Sequence, residues 1–284
     1  MNMHDWSLIL YTLCLQSAVG IYVVSRIVLW NEESTGARMR FLHLALALGV
    51  AGVIASVTHL GYPANALKTM SNLGTSWLSR EILLTALFGA AGIGSVLLER
   101  GAVGSVQTRN GWAALTSLLG LGLIYVMSMI YRSSAFPAWE HVSTTLVFFA
   151  TAGLVGTAAV FAGQCVRKGE EEPRGLGGLV IGAAAMLGLQ VAALALHGAY
   201  LGTAGPEAQA TAALMTGQWS ALYWGQILCL VLGAGICMPL AWQRVMQKKA
   251  ASLPQFAGAL VALVALGELA GRVVFYATRV KIGL

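Results

Sequence analysis

Eight long apolar runs, separated by short polar stretches, account for most of the chain. They cover Trp6–Trp30, Phe41–Tyr62, Arg80–Leu98, Gly111–Tyr131, His141–Val166, Leu176–Tyr200, Trp219–Trp242 and Pro254–Tyr276. Each is close to the roughly 20 residues that a helix needs to cross the hydrocarbon core of a bilayer. The alternating pattern of a membrane β-strand is absent, so the runs predict helices. Aromatic residues lie near many of the ends, at the headgroup level that their amphipathic rings favour. The longest connections are the stretch after Tyr62 and the Leu201–Gln218 segment, and both fall on the same side. No internal repeat, low-complexity tract or soluble domain interrupts the pattern. The expectation is an all-α membrane protein, a bundle of eight transmembrane helices forming one domain over residues 1–284.

Composition agrees with this reading: 57% of the residues are hydrophobic and only 10% are charged, against about 25% charged in an average soluble domain. Too few polar groups remain to cover a water-exposed surface. The first run follows MNMHDW, which lacks a basic region, and it is longer than the apolar core of a cleaved signal, so it is read as the first span. Lys and Arg then set the orientation. The first, third, fifth and seventh loops carry ten, from Arg38 to Lys249, and the opposite side carries five: Lys68, Arg80, Arg132, Arg279 and Lys281. Basic loops stay in the cytoplasm, which puts both termini on the outer, periplasmic side. This loop bias accounts for the net charge of +6 without a nucleic-acid partner. The four cysteines, Cys14, Cys165, Cys229 and Cys237, all lie inside apolar runs and form no CxxC pair. The reading is packing residues, with no iron–sulfur cluster in this protein.

Charge inside the membrane is costly and calls for an explanation. His59, Glu81, His197, Glu268 and Arg272 are the groups that qualify. At about 1.5 Å per residue, His59 and Arg272 each lie roughly 27 Å from the cytoplasmic start of their spans, and His197 about 31 Å. Glu81 enters from the outer side, so all five converge on the outer third of the bilayer. Arg26 and His43 belong to the opposite boundary and are expected to snorkel. Gly61 and Pro63 follow His59 and break its helix, which a membrane tolerates where protein or a cavity surrounds the freed backbone. Histidine titrates near neutral pH and can take a proton from a ligand hydroxyl. In the last span Glu268, Arg272 and Tyr276 are spaced four apart on one helical face. Glu before Arg at that spacing is the favourable order for an in-helix pair, structural or part of a site.

These residues resemble the membrane-anchor subunits of the dimethyl sulfoxide reductase family and, more distantly, the polysulfide reductase anchor. The resemblance runs through most of the sequence. It rests on His59-Leu60-Gly61, Pro63, Asn72, Gly74 and Leu78-Ser79 before Glu81, on Gly267-Glu268, Gly271-Arg272 and Phe275-Tyr276 in the last span, and on Pro137 and Trp139. The sequence departs from the family pattern at Arg80, His197 and Gln226. The resemblance implies a multi-pass protein of the bacterial inner membrane that oxidises menaquinol to menaquinone in anaerobic electron transport. It also implies an iron–sulfur partner subunit that passes the electrons to a molybdopterin catalytic subunit, both at the periplasmic face. By the same resemblance, His59 and Glu81 would handle the quinol protons, with Gly61, Arg80, Glu268, Arg272 and Tyr276 shaping the quinol site.

Two other readings fit parts of the pattern. His59 and His197 share one depth on different helices, the arrangement of an axial haem b pair. Alternatively, His59, Glu81 and Glu268 form the relay of an ion or proton translocator.

Overall fold

The computed structural model describes residues 3–30, 35–59, 72–101, 104–166, 175–248 and 252–281. Gly61, Pro63 and Lys68, together with the side chain of His59, lie outside the described residues. Among the described residues the regular structure is wholly helical. Eight helical stretches are long and apolar enough to cross a membrane. Six are single α-helices: α1 (Met3–Val28), α2 (Thr35–His59), α3 (Trp77–Arg100), α4 (Val106–Arg132), α5 (Val142–Cys165) and α6 (Leu176–Thr203). The seventh comprises α8 (Ser220–Leu230), a π-helical segment (Val231–Cys237) and α9 (Met238–Met246); the eighth is α10 (Leu253–Ala277). A further helix, α7 (Pro206–Thr216), lies between spans six and seven.

The protein divides into two compact units, Asn2–Ile130 and Tyr131–Leu284. In the first, α1 and α2 pack closely, and Gly52 lies at their contact. A Cβ there would lie 3.2 Å from the Cβ of Cys14 and 3.4 Å from the Tyr11 carbonyl oxygen. In the second unit, α10 is the centre and packs against α5, α8 and the π segment. Gly267 and Gly271 of α10 face α8: a Cβ on Gly267 would meet Leu230 at 2.9 Å and the Gln226 carbonyl oxygen at 3.0 Å. Removing the side chain at these positions lets the backbones approach, which is how membrane helices gain contact without a hydrophobic driving force.

Three features differ from expectation. Helix α2 begins at Thr35, six residues before Phe41, and α4 begins at Val106 rather than Gly111. Apolar content marks where hydrocarbon starts, not where the helix starts. The Leu201–Gln218 connection contains α7, which buries Ala208, Thr211 and Met215 along one face and leaves the other exposed. Finally, Arg26 does not snorkel. It is buried and its Nη1 donates to Glu99 at 2.8 Å.

Candidate functional site

Four helix ends of the first unit meet at Glu99. Arg26 closes α1, Arg38 opens α2, Glu99 closes α3 and Arg109 opens α4. The Glu99 carboxylate receives Arg26 at 2.8 Å, Arg38 at 3.2 Å and Arg109 at 3.5 Å. A carboxylate buried this completely is stable only when paired, and here three cations surround it. At the same end, the Nη2 of Arg100 and the Nε2 of exposed His43 lie 3.1 Å apart.

The opposite end of this unit carries the groups singled out in the sequence. The register of α2 and α3 follows from their contacts. His43 meets Arg100, and Leu46 lies against Gly92. In an antiparallel pair each step forward on one helix is a step back on the other. The backbone of residue 59 therefore falls opposite residues 79 to 84, a stretch that includes Glu81.

Glu81 does not open its helix. Helix α3 starts at Trp77, capped by Ser76, whose hydroxyl accepts the Ser79 amide at 3.3 Å. Glu81 therefore lies a turn inside. It is 6% exposed and accepts a hydrogen bond from Tyr11, which α1 supplies at the Gly52 crossing.

Arg80 points back along its own loop. It donates from Nε to the Leu73 carbonyl at 2.9 Å and from Nη2 to the Gly74 carbonyl at 2.6 Å, and lies 4.3 Å over the Trp77 ring. These contacts hold the turn leading into α3. Below Glu81, Thr85, Phe88 and Gly92 continue the same helical face and line an apolar cleft of about 290 Å³ with Leu15, Leu46 and Val53.

The second unit holds a different kind of site. Glu268 and Arg272 share a face of α10 as expected, and both turn toward α5. Glu268 Oε2 accepts from the Thr151 hydroxyl at 2.7 Å, while the Arg272 guanidinium stacks on Phe148 at 4.2 Å from the ring centroid. One turn on, the Tyr276 hydroxyl pairs with that of Tyr131. Trp139 stacks on Phe275 at 4.8 Å, and its indole N–H donates to the Phe275 carbonyl at 3.1 Å. The Pro137 carbonyl accepts from Tyr200 at 3.0 Å. These contacts fix the short 3₁₀ turn Pro137–Trp139 against α6 and α10.

Beside Glu268 lies a cavity of about 50 Å³, lined by Thr151, Gln190, His197, Gln226 and Arg272 among others, with α7 contributing Thr211 and Met215. His197 is hydrogen-bonded through Nδ1 to Ser143.

Of the groups named from sequence, Glu81 and Arg80 are thus adjacent in the first unit, and Glu268, Arg272, Tyr276 and His197 gather in the second. Sequence reasoning missed Glu99, Tyr11, Thr151, Gln190 and the His141–Ser143 pair. Glu99 and Gln190 were findable as polar residues at the edge of or within apolar runs. Thr151 and Tyr11 carry no signal until the helices are packed. No group of three or more His, Cys, Asp or Glu residues gathers to hold a metal ion among the described residues.

Residues 1–278 match the family described as the DMSO reductase anchor subunit (DmsC). The anaerobic dimethyl sulfoxide reductase protein YnfH of Escherichia coli K12 is 29% identical over 290 residues, covering 99% of this sequence and 97% of its own. The C subunit of anaerobic dimethyl sulfoxide reductase from the same strain is 27% identical over 288 residues, with the same two coverages. The C subunit of the Haemophilus influenzae enzyme is 33% identical over 165 residues, 57% of this sequence and 59% of its own.

Proposed function

Since the chain belongs to the family of dimethyl sulfoxide reductase anchor subunits, we propose that it anchors a molybdopterin oxidoreductase in the bacterial inner membrane and oxidises menaquinol there. The electrons pass to an iron–sulfur partner subunit and from it to the catalytic subunit. The observation that carries this reading is Glu81, a carboxyl 6% exposed near the end of a membrane span. It is level with the backbone of His59 and at the head of an apolar cleft suited to a lipid-soluble ligand.

Quinol oxidation releases two electrons and two protons for each quinone formed. In this mechanism the quinol slides in laterally, its apolar part along the α1–α2–α3 cleft and its hydroxyls toward Glu81 and His59. These two groups hydrogen-bond the hydroxyls and accept their protons as the electrons leave. Tyr11 orients the Glu81 carboxylate. Arg80 holds the turn before α3 in place. The protons depart to the side that bears the termini, which this reading places outward. The Leu201–Gln218 segment with α7 offers a contact surface for the partner subunits.

Glu81→Gln and His59→Ala, made separately in the assembled complex, test this reading. A positioned proton acceptor is worth about 10²–10⁴-fold in rate. Each variant is therefore expected to lower quinol-driven reduction at least about 100-fold while the complex still co-purifies and its catalytic subunit still works with a soluble electron donor. Unchanged quinol turnover in both variants refutes the assignment.

A further inference from the structure

We propose that the second unit contains a proton path joining the buried carboxylate of Glu268 to the protein surface through His197, Ser143 and His141. All four residues lie within residues 131–284, and the path involves no redox step.

Glu268 Oε2 is held by Thr151, but among the described residues the buried Oε1 has no hydrogen-bond partner, and the same is true of Gln190 Oε1. Both residues line the 50 Å³ cavity. Sites for organic ligands run to about 300–1,000 Å³, so this chamber is far too small for one. A water needs roughly 10–15 Å³ measured this way, and the chamber therefore has room for about four. Its lining of Thr151, Gln190, Gln226, His197 and Arg272 supplies the polar partners that buried water requires.

His197 lies on the chamber wall and begins a series of hydrogen bonds leading out. Its Nδ1 is 3.1 Å from Ser143 Oγ, which is 3.0 Å from His141 Nδ1. The series has a polarity set by backbone chemistry. His141 caps α5 by accepting the Ser143 amide N–H on Nδ1 at 3.3 Å, so that nitrogen carries no proton. Ser143 Oγ–H then donates to His141 Nδ1, and His197 Nδ1–H donates to Ser143 Oγ. His141 is half-buried, stacks on Tyr200 at 4.6 Å and adjoins exposed Glu140.

Transfer runs along these bonds. A proton leaving the Glu268 carboxyl crosses the chamber water to His197 Nε2. His197 passes its Nδ1 proton to Ser143, Ser143 passes its own to His141 Nδ1, and His141 releases one from Nε2. Each ring finishes as its other tautomer, and return of the tautomers resets the path. The remaining charged and titratable groups facing it are Arg272, with Tyr131 and Tyr276 beside it, and the Tyr200–Glu140 pair at the exit.

Infrared difference spectroscopy on the full-length protein in lipid nanodiscs tests the path. The protonated Glu268 carboxyl is identified as the band lost in Glu268→Gln, and its response to a rapid pH jump is timed. Ser143→Ala is expected to slow that response at least tenfold, and Ser143→Thr, which restores the hydroxyl, to recover it. His197→Phe breaks the other link without touching the α5 cap and is expected to slow the response equally. An unchanged rate in Ser143→Ala or His197→Phe overturns the proposal. So does a Ser143→Thr variant as slow as Ser143→Ala, or the absence of any band that Glu268→Gln removes.

Discussion

Glu99 and Glu268 are both carboxylates buried at the end or in the body of a span, yet their surroundings are opposite. Glu99 meets three guanidinium groups from three other helices. Glu268 has one oxygen on a neutral hydroxyl, the other without a hydrogen-bond partner among the described residues and beside a small cavity, and a neighbouring arginine whose guanidinium stacks on a phenyl ring. A carboxylate ringed by guanidinium groups acts as a fastener. A sparsely partnered one keeps room for a proton. Burial alone does not mark function in a membrane protein; the number of counter-charges within reach decides the role.

The largest effect is expected from Glu99→Gln. It removes the only carboxylate among the described contacts of Arg26, Arg38 and Arg109. Leaving buried charge uncompensated costs about 3–5 kcal/mol, so the variant is expected to accumulate poorly and to unfold at a clearly lower temperature in detergent. Arg38→Gln sharpens the contrast, because two arginines still hold Glu99 afterwards. Its cost is the loss of one charge-assisted hydrogen bond, about 1.5–3 kcal/mol, read in the same unfolding assay. A loss equal to that of Glu99→Gln would show that the cluster acts all or none. The smallest effect belongs to the other carboxylate. Thr151→Val deletes the hydroxyl that holds Glu268 and is expected to lower stability by about 1 kcal/mol. A loss as large as that of Glu99→Gln would mean that Glu268 too is a fastener.

Much of the architecture was legible in the amino-acid order, and the reason is solvent. Hydrocarbon enforces long apolar helices, so all eight spans can be read from the runs alone. What the bilayer does not enforce was harder to read. The starts of α2 and α4 lie beyond the hydrocarbon, where Arg38 and Arg109 are recruited by Glu99 rather than by lipid. Counting these arginines as loop charges gave an orientation but hid the ion cluster. Helix α7 sits in a short connection whose apolar face is only Ala208, Thr211 and Met215, too narrow a stripe to separate from a loop.

The candidate site was half legible. Spacing placed Glu268 and Arg272 on one face, and depth counting placed residues 59 and 81 toward the same end of their spans. Their partners were not legible, because Thr151, Phe148 and Tyr11 come from other spans and carry no charge to betray them. Ser143 and His197 are 54 positions apart; only packing joins them.

The π segment Val231–Cys237 has a consequence of its own. Its wider turn accommodates about one residue more than an α-helix would, and an α-helix advances about 100° per residue. It therefore works as a phase adjuster in span seven. Ahead of it Gln226 is aimed at α10, and behind it Trp242 rests near Gly177 while Arg244 lies over Phe256. Deleting a single residue there would yield an unbroken helix with every backbone bond made, and would swing the whole trailing half of the span away from the neighbours it now meets.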